Sequence, residues 1–424
     1  MNQTRALEWC DRVAFFGFCG FIYFLPISIA LIESFASVVL VSFFVKRGIL
    51  FTTRLRKEGL RALVKFFNPV PSFLNASVGI FIFVSIITVL TSQYFGESVQ
   101  GFFFKILEWT FLCFIFFEVV HSQKRLKIFI GVWTVSALIA IGNGLFQRCS
   151  GYDFIYKNFL WAGRISSSFR HSNDFGAYLV IVTLLAISLA SYYVWRSKAE
   201  GNGHRGWGSR GKQALAVTVA GLSLVTLGLT LSRGAWLGFM VGILFLLAKR
   251  RKINFLTISI LIIVMMIVVP KLLDMRRTTI WETYQSGSGR TVYWQEAWHM
   301  IRDFPVFGVG LNSYSREAPK YKDTWGGYPH NCYLQMTVET GLVGLLSFLL
   351  ILFVLFRRTL QSVKLIKDEF LLSVLLGLSA GLLGFLVHSF FDTNFYSVQL
   401  GNLMWVVMGA MVAVPRIAVQ DKTG

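Results

Sequence analysis

Acidic residues are scarce in this sequence: 21 Asp and Glu stand against 41 Lys and Arg, and long stretches carry no charge at all. Between Ala214 and Ala248 the one charged residue is Arg233. A bilayer crossing takes about 20 apolar residues, so this run is long enough for two short spans with the arginine at their joint. Several signatures of metal and nucleotide chemistry are also missing. There is no Asp-x-Asp pair to hold a metal and a nucleotide sugar, no Walker loop and no HExxH. Any catalysis is therefore expected to need no metal or other cofactor, and to draw on a donor other than a soluble nucleotide sugar. The five cysteines form no CxxC or metal-ligand spacing. Only Cys149 and Cys332 fall on the same non-cytoplasmic side of the topology below, where a disulfide between them stays open.

What the chain has in quantity is apolar sequence. Hydrophobic residues make up 55% of its 424 positions and the mean hydropathy is +0.61, which points to an all-α polytopic membrane protein. Twelve spans are expected, at 12–28, 29–45, 73–92, 102–120, 128–146, 175–194, 214–231, 235–248, 253–270, 333–356, 370–390 and 398–414. With both chain ends cytoplasmic, most Lys and Arg fall in short cytoplasmic stretches such as "QKRLK", "KRRK" and "RRTLQSVKLIK", the positive-inside pattern. No cleavable leader stands apart from the first span, and a bacterial inner membrane is the expected location. The net charge of +20 is then largely topological, and no nucleic-acid-binding signature accompanies it.

This topology divides the chain into 1–270 with spans one to nine, a large periplasmic loop subdomain at 271–332, and 333–424 with the last three spans and a short cytoplasmic tail. Within the subdomain, Ser288 is a candidate N-cap and Arg290 falls in the first turn of a helix. Val292, Trp294, Ala297, Trp298 and Ile301 give it apolar faces, and Pro305 with the following glycines ends it. Such a Trp-rich helix can lie at the membrane interface or pack as a lid over the spans. The stretch Ser197 to Lys212 reads as a flexible cytoplasmic loop.

Positive-inside sorting leaves several arginines unexplained. Ser232, Arg233 and Gly234 form a hairpin on the periplasmic side, and inward helices also begin at Asn173 and just after His330. Helix N-termini offer free N–H groups and partial positive charge, and guanidinium forks match phosphate oxygens. With Arg290, Arg164 and Arg170 on the same face, these residues describe a pyrophosphate site at the membrane surface. Simpler roles exist for each. Arg233 can be an anchor, Arg290 can pair with Glu282 or Glu296, His330 can cap its helix, and Arg164 and Arg170 can bind lipid headgroups.

Four segments, "GRISSSFRHSNDFGAYL", "LTLSRGAWLG", "GRTVYWQEAWHMIRDFPVFGVGLNSY" and "HNCYLQMTVETGLVGL", resemble the bacterial O-antigen ligase and Wzy-type polymerase superfamily from Arg164 to Leu345. Where many relatives read His-Pro-Asn, this chain has His171, Ser172 and Asn173, so no role carries over to His171. The resemblance implies a GT-C-type glycosyltransferase working at the periplasmic face on a glycan carried by undecaprenyl pyrophosphate. Its implied partners are that donor, a lipid A-core acceptor and membrane lipids. It implies Arg233 and Arg290 on the pyrophosphate, His330 as general base, and Asn331 and Trp294 in the substrate loop; Glu339 reads as structural. The ligase branch is favoured over a polymerase, because no large extra C-terminal domain follows the last span. A transporter or flippase is the rival of another class, but such carriers place their ionisable groups at mid-membrane.

Overall fold

The computed structural model describes residues 3–58, 72–199, 207–250, 290–321 and 328–420. They form helices α1 (Gln3–Phe24), α2 (Ile29–Glu58), α3 (Asn75–Thr91), α4 (Phe95–Gly101), α5 (Glu108–Val119), α6 (Gln123–Ser150), α7 (Ser172–Ala199), α8 (Trp207–Leu229) and α9 (Arg233–Lys249). After these come α10 (Arg290–Asp303), α11 (Tyr314–Glu317), α12 (Cys332–Val363), α13 (Glu369–His388) and α14 (Val398–Gln420). A π-helical turn, Phe102–Leu107, joins α4 to α5. The β pairing among the described residues amounts to two isolated bridges, Tyr152 with Phe159 and Trp161 with Arg164.

Seven of these helices are long and apolar enough to cross a membrane, lying in α2, α6, α7, α8, α12, α13 and α14. The chain is thus an all-helical polytopic membrane protein, with seven such helices among the described residues where twelve spans were expected. Of the other five expected spans, four meet α1, α3, the π turn with α5, and α9. Two of those, α3 and α9, have 17 residues each, about 25 Å of helix against the roughly 30 Å of hydrocarbon. The span at 253–270 lies outside the described residues, as do 271–289 and 322–327 of the loop subdomain, its N-cap candidate Ser288, and 200–206 of the loop expected to be flexible.

Helices α7, α9 and α13 form the tight centre. A Cβ on Gly238 would stand 2.2 Å from the Gly384 carbonyl oxygen, and one on Gly384 would stand 2.5 Å from that of Gly238. Only hydrogen fits there, so the two backbones touch and exclude lipid between them. Basic residues collect at one end of the bundle, where Lys46 pairs with Asp11 and Glu118, Arg47 pairs with Glu118, and Arg250 donates to the Ser188 carbonyl. The N-termini of α7, α9 and α12 and the C-terminus of α13 meet at the other end.

One long helix is broken. Gly341 in α12 has φ 68° and ψ −177°, and the segment after α10 fills the gap. The Leu342 amide donates to the Pro305 carbonyl at 2.9 Å, the Val309 amide to Val338 at 2.9 Å, and the Gly310 amide to Glu339 at 3.0 Å. Glu339 is buried and accepts from the Asn312 amide at 3.1 Å and the Gln335 amide group at 3.2 Å, while Lys105 reaches the Asn312 side chain at 2.6 Å. Its structural reading therefore fits its surroundings. Above this joint, Ala297, Met300 and Ile301 of α10 pack with Val309, Tyr314 and Val338 in a small core of their own.

Gly341→Ala tests the joint, because its Cβ would lie 1.9 Å from the Val306 carbonyl oxygen at a left-handed φ. The expected result is a loss of about 1–3 kcal/mol, seen as a lower unfolding midpoint in detergent together with new proteolytic cleavage between 304 and 312. Gly79→Ala, where a Cβ meets nothing within 4 Å, should leave both unchanged.

Candidate active site

The turn that carries the isolated arginine is built by its neighbours. Leu231 takes φ 52°, a left-handed conformation that costs an L residue about 1–2 kcal/mol, and Ser232 caps α9 by accepting from the Ala235 amide. Arg233 is thereby set as the first residue of the helix, exposed, with Gly234 pressed against the buried His388 ring. Its Cβ-less surface is needed, since an added Cβ would stand 2.6 Å from His388 Cδ2. His388 Nε2 lies 3.3 Å from the Ser232 hydroxyl.

Arg164 comes from the loop before α7. Its Nε donates to the Thr230 carbonyl at 2.9 Å and its Nη2 to Asn173 Oδ1 at 2.6 Å. Asn173 passes the connection on, donating from Nδ2 to Asp392 Oδ2. Asp392 Oδ1 then lies 3.1 Å from His330 Nδ1 and accepts from the Thr393 amide at 2.9 Å. One line of contacts thus runs Arg164, Asn173, Asp392, His330, linking the loop before α7, α7 itself, the segment after α13 and the turn before α12. Burial by itself would raise the Asp392 carboxyl, but the hydrogen bond to His330, the His388 and His330 rings and the Thr393 amide outweigh it. The carboxyl is held well below its usual range, so it is ionised at neutral pH.

His330, with φ 46°, bends the chain just ahead of α12, and its side chain is 42% exposed. Tyr293, one turn into α10, sets its ring edge-on to the imidazole, with centroids 6.1 Å apart. Trp294 Nε1 donates to the Pro329 carbonyl at 2.8 Å and its ring packs on Phe390. Arg290 opens α10 at its exposed N-terminus, close enough to act electrostatically on His388 together with Arg164. Among the described residues, neither Arg233 nor Arg290 has a carboxylate partner.

Two of the expected residues, Asn331 and Arg170, stand outside this line of contacts. Asn331, expected in the substrate loop, is buried and caps α12, accepting from the Tyr333 amide at 2.9 Å and the Leu334 amide at 3.1 Å. Arg170 is exposed and faces His171 electrostatically, outside the hydrogen-bonded line. Burial, then the Arg170 charge, lowers the His171 imidazole. The cysteines do not pair: Cys149 is exposed, and Cys332 is buried with its thiol donating to the Asp392 carbonyl at 3.2 Å. Three residues were missed from the sequence, namely Asp392, His388 and the bridging Asn173 side chain. The string Gly377 to Gly381 spells Gly-x-Ser-x-Gly, but Ser379 is buried mid-helix and donates to the Leu375 carbonyl at 2.6 Å. It is no exposed nucleophile.

Fold and site together define a polytopic helical membrane protein with cationic helix ends and an imidazole–carboxylate pair at one face. Residues 218–349 match the family model described as O-antigen ligase, a stretch that holds three of the four segments behind the superfamily resemblance, the one at 163–179 lying outside it. The matched stretch includes Arg233, Arg290 and His330, and it supports a ligase-type, glycosyltransferase-like enzyme. No curated protein matches the chain.

Asp392→Ala would leave the donors of Asn173 and Thr393 without their acceptor, and the expected cost is about 1–3 kcal/mol. His330→Ala takes one donor from the Asp392 carboxylate and leaves those of Asn173 and Thr393 in place, so it should cost less, about 1 kcal/mol. Thermal unfolding in detergent, followed by tryptophan fluorescence, should show the Asp392 variant melting first.

Proposed function

We propose that this chain is an O-antigen ligase that moves a glycan from undecaprenyl pyrophosphate onto the lipid A-core oligosaccharide. The observation that carries this reading is the pairing of His330 with an ionised Asp392 beside Arg233 and Arg290, two exposed arginines at helix N-termini without carboxylate partners among the described residues. With Nδ1 of His330 donating to Asp392, its Nε2 is left with a lone pair. That nitrogen accepts the proton of an acceptor hydroxyl. The hydroxyl oxygen attacks the anomeric carbon, the bond from that carbon to the pyrophosphate oxygen breaks, and the electron pair departs on the pyrophosphate. Arg233 and Arg290, at the positive ends of α9 and α10, neutralise the charge that develops there. Arg164 fixes the carboxylate line through Asn173 and, with Arg170, adds to the cationic field that draws in the lipid pyrophosphate. Direct displacement inverts the anomeric centre, and charge neutralisation by arginine calls for no metal.

In this reading the fold is of the GT-C type, with twelve spans counting those at 12–28, 73–92, 102–120, 235–248 and 253–270. The site faces the periplasm from a bacterial inner membrane. The clustering of Lys46, Arg47 and Arg250 at the opposite end supports that orientation.

The test is transfer in a purified system of undecaprenyl-pyrophosphate glycan and lipid A-core, read as a mass shift on the core lipid. Arg233→Lys should lower kcat/KM by at least tenfold, because an ammonium cannot make the forked contact, and His330→Ala by about 10²–10⁴-fold. Lengthening of the donor with no shift on the core lipid would make the protein a polymerase. Flux of donor across vesicles without acceptor would make it a transporter.

The proton step has its own signature. An imidazole accepts a proton only when neutral, so kcat/KM should fall as pH drops. Because Asp392 stays ionised well below the usual carboxylate range, that acid limb should have a slope of one through pH 5. A slope of two would show a second group titrating in the same window, either Asp392 or the neighbouring Asp174, whose carboxyl is raised to about 7 by burial and the Asp392 charge. EDTA should leave the rate unchanged at every pH.

A further inference from the structure

Helix α10 buries one side and leaves another bare. Glu296, Ala297, Met300 and Ile301 face the protein, while Thr291, Trp294, Gln295, Trp298 and His299 line an open cleft of about 320 Å³ along the opposite side. Trp298 is 56% exposed there. Two indoles one turn apart, flanked by a hydroxyl, an amide and an imidazole, are unusual for a face that meets only water. The Trp294 ring is held still by its bond to the Pro329 carbonyl and its packing on Phe390.

We infer that this cleft is a saccharide subsite that holds the first sugar rings of the lipid-linked donor. The inference rests on the ligase reading of the neighbouring site. Ring C–H groups of a pyranose, made slightly positive by the adjacent oxygens, pack on the negative face of an indole. Thr291, Gln295 and His299 supply donors and acceptors for the hydroxyls, the mix of apolar floor and few polar groups that small-molecule sites use. Geometry gives the direction. Arg290, on the pyrophosphate, begins the helix, and Trp298 lies eight residues further along it, about 12 Å at helical rise, room for about two linked rings. A glycan attached to the pyrophosphate therefore runs along the bare face of α10, while His330, under Tyr293, meets the acceptor from the other side.

Membrane contact is the rival use of an exposed tryptophan, and the test separates the two. Donor lipid extracted from cells of the source organism that lack this chain is transferred in vitro by wild type, Trp298→Ala, Trp298→Phe and Trp298→Leu. Stacking predicts that Trp298→Ala raises KM for the donor about tenfold with kcat little changed, that Phe restores most of the affinity and that Leu does not. Donor enzymatically trimmed to one sugar should be used nearly alike by wild type and Trp298→Ala. An unchanged KM in Trp298→Ala, or rescue by Leu equal to that by Phe, overturns the subsite while leaving the ligase reading in place. If wild type transfers nothing, the ligase reading falls, and the cleft is judged by saturation-transfer NMR with the oligosaccharide released from that donor. Signals on pyranose C–H protons that vanish in Trp298→Ala keep the subsite; none in wild type remove it.

Discussion

A helix that breaks in apolar surroundings must find new partners for its backbone, because no water is there to supply them. The break at Gly341 sets that demand on α12, and the segment 305–310 answers it with main-chain bonds to Val338, Glu339 and Leu342. The repair has a consequence far from the break. It fixes the C-terminal end of α10 to the same helix that begins beside His330, so Arg290, Tyr293 and Trp294 are presented to the imidazole by a short, closed circuit of chain. Buried Glu339 and the Lys105–Asn312 contact lock that circuit from below.

A second dependence runs through Asp392. Its two oxygens tie together three separate parts of the chain, and its ionised state holds only because imidazole and amide donors surround it in place of water. Arg164 completes the line without touching the carboxylate, acting through Asn173. Each cation near the site therefore has a distinct job: Arg164 is engaged by the protein, whereas Arg233 and Arg290 stand exposed at helix ends.

How much of this was legible in the sequence follows the range of the interactions. The Arg233 hairpin, the helix beginning at Arg290 and the start of α12 were visible because charge placement and helical periodicity are local signals. Asp392 was not, since "FFDTNF" has no distinguishing pattern and its partners lie 62 and 219 residues away. His388 was not legible either, since nothing local shows it beneath Gly234. Asn331 carried a signal beyond the substrate-loop reading: an Asn two residues after Pro329 and ahead of an apolar run is an N-cap pattern, and the cap is what the structure shows. The span count was legible only in part: seven of the expected spans are helices long and apolar enough by themselves among the described residues, while α3 and α9, at 17 residues, fall short of that length.

The placement of the strained residues ties these observations together. Leu231 and His330 both hold left-handed backbone immediately before a helix cap, an arrangement that local sequence preference opposes. Tertiary contacts must hold them there: Arg164 on the Thr230 carbonyl steadies the first turn, and Asp392 on the imidazole steadies the second. Those two anchors belong to the same hydrogen-bonded line. Loosening either end therefore disturbs the direction of an arginine and of an imidazole together, and in the proposed mechanism the charge-binding and proton-accepting halves of the site are mechanically one unit even though they come from helices far apart in the chain.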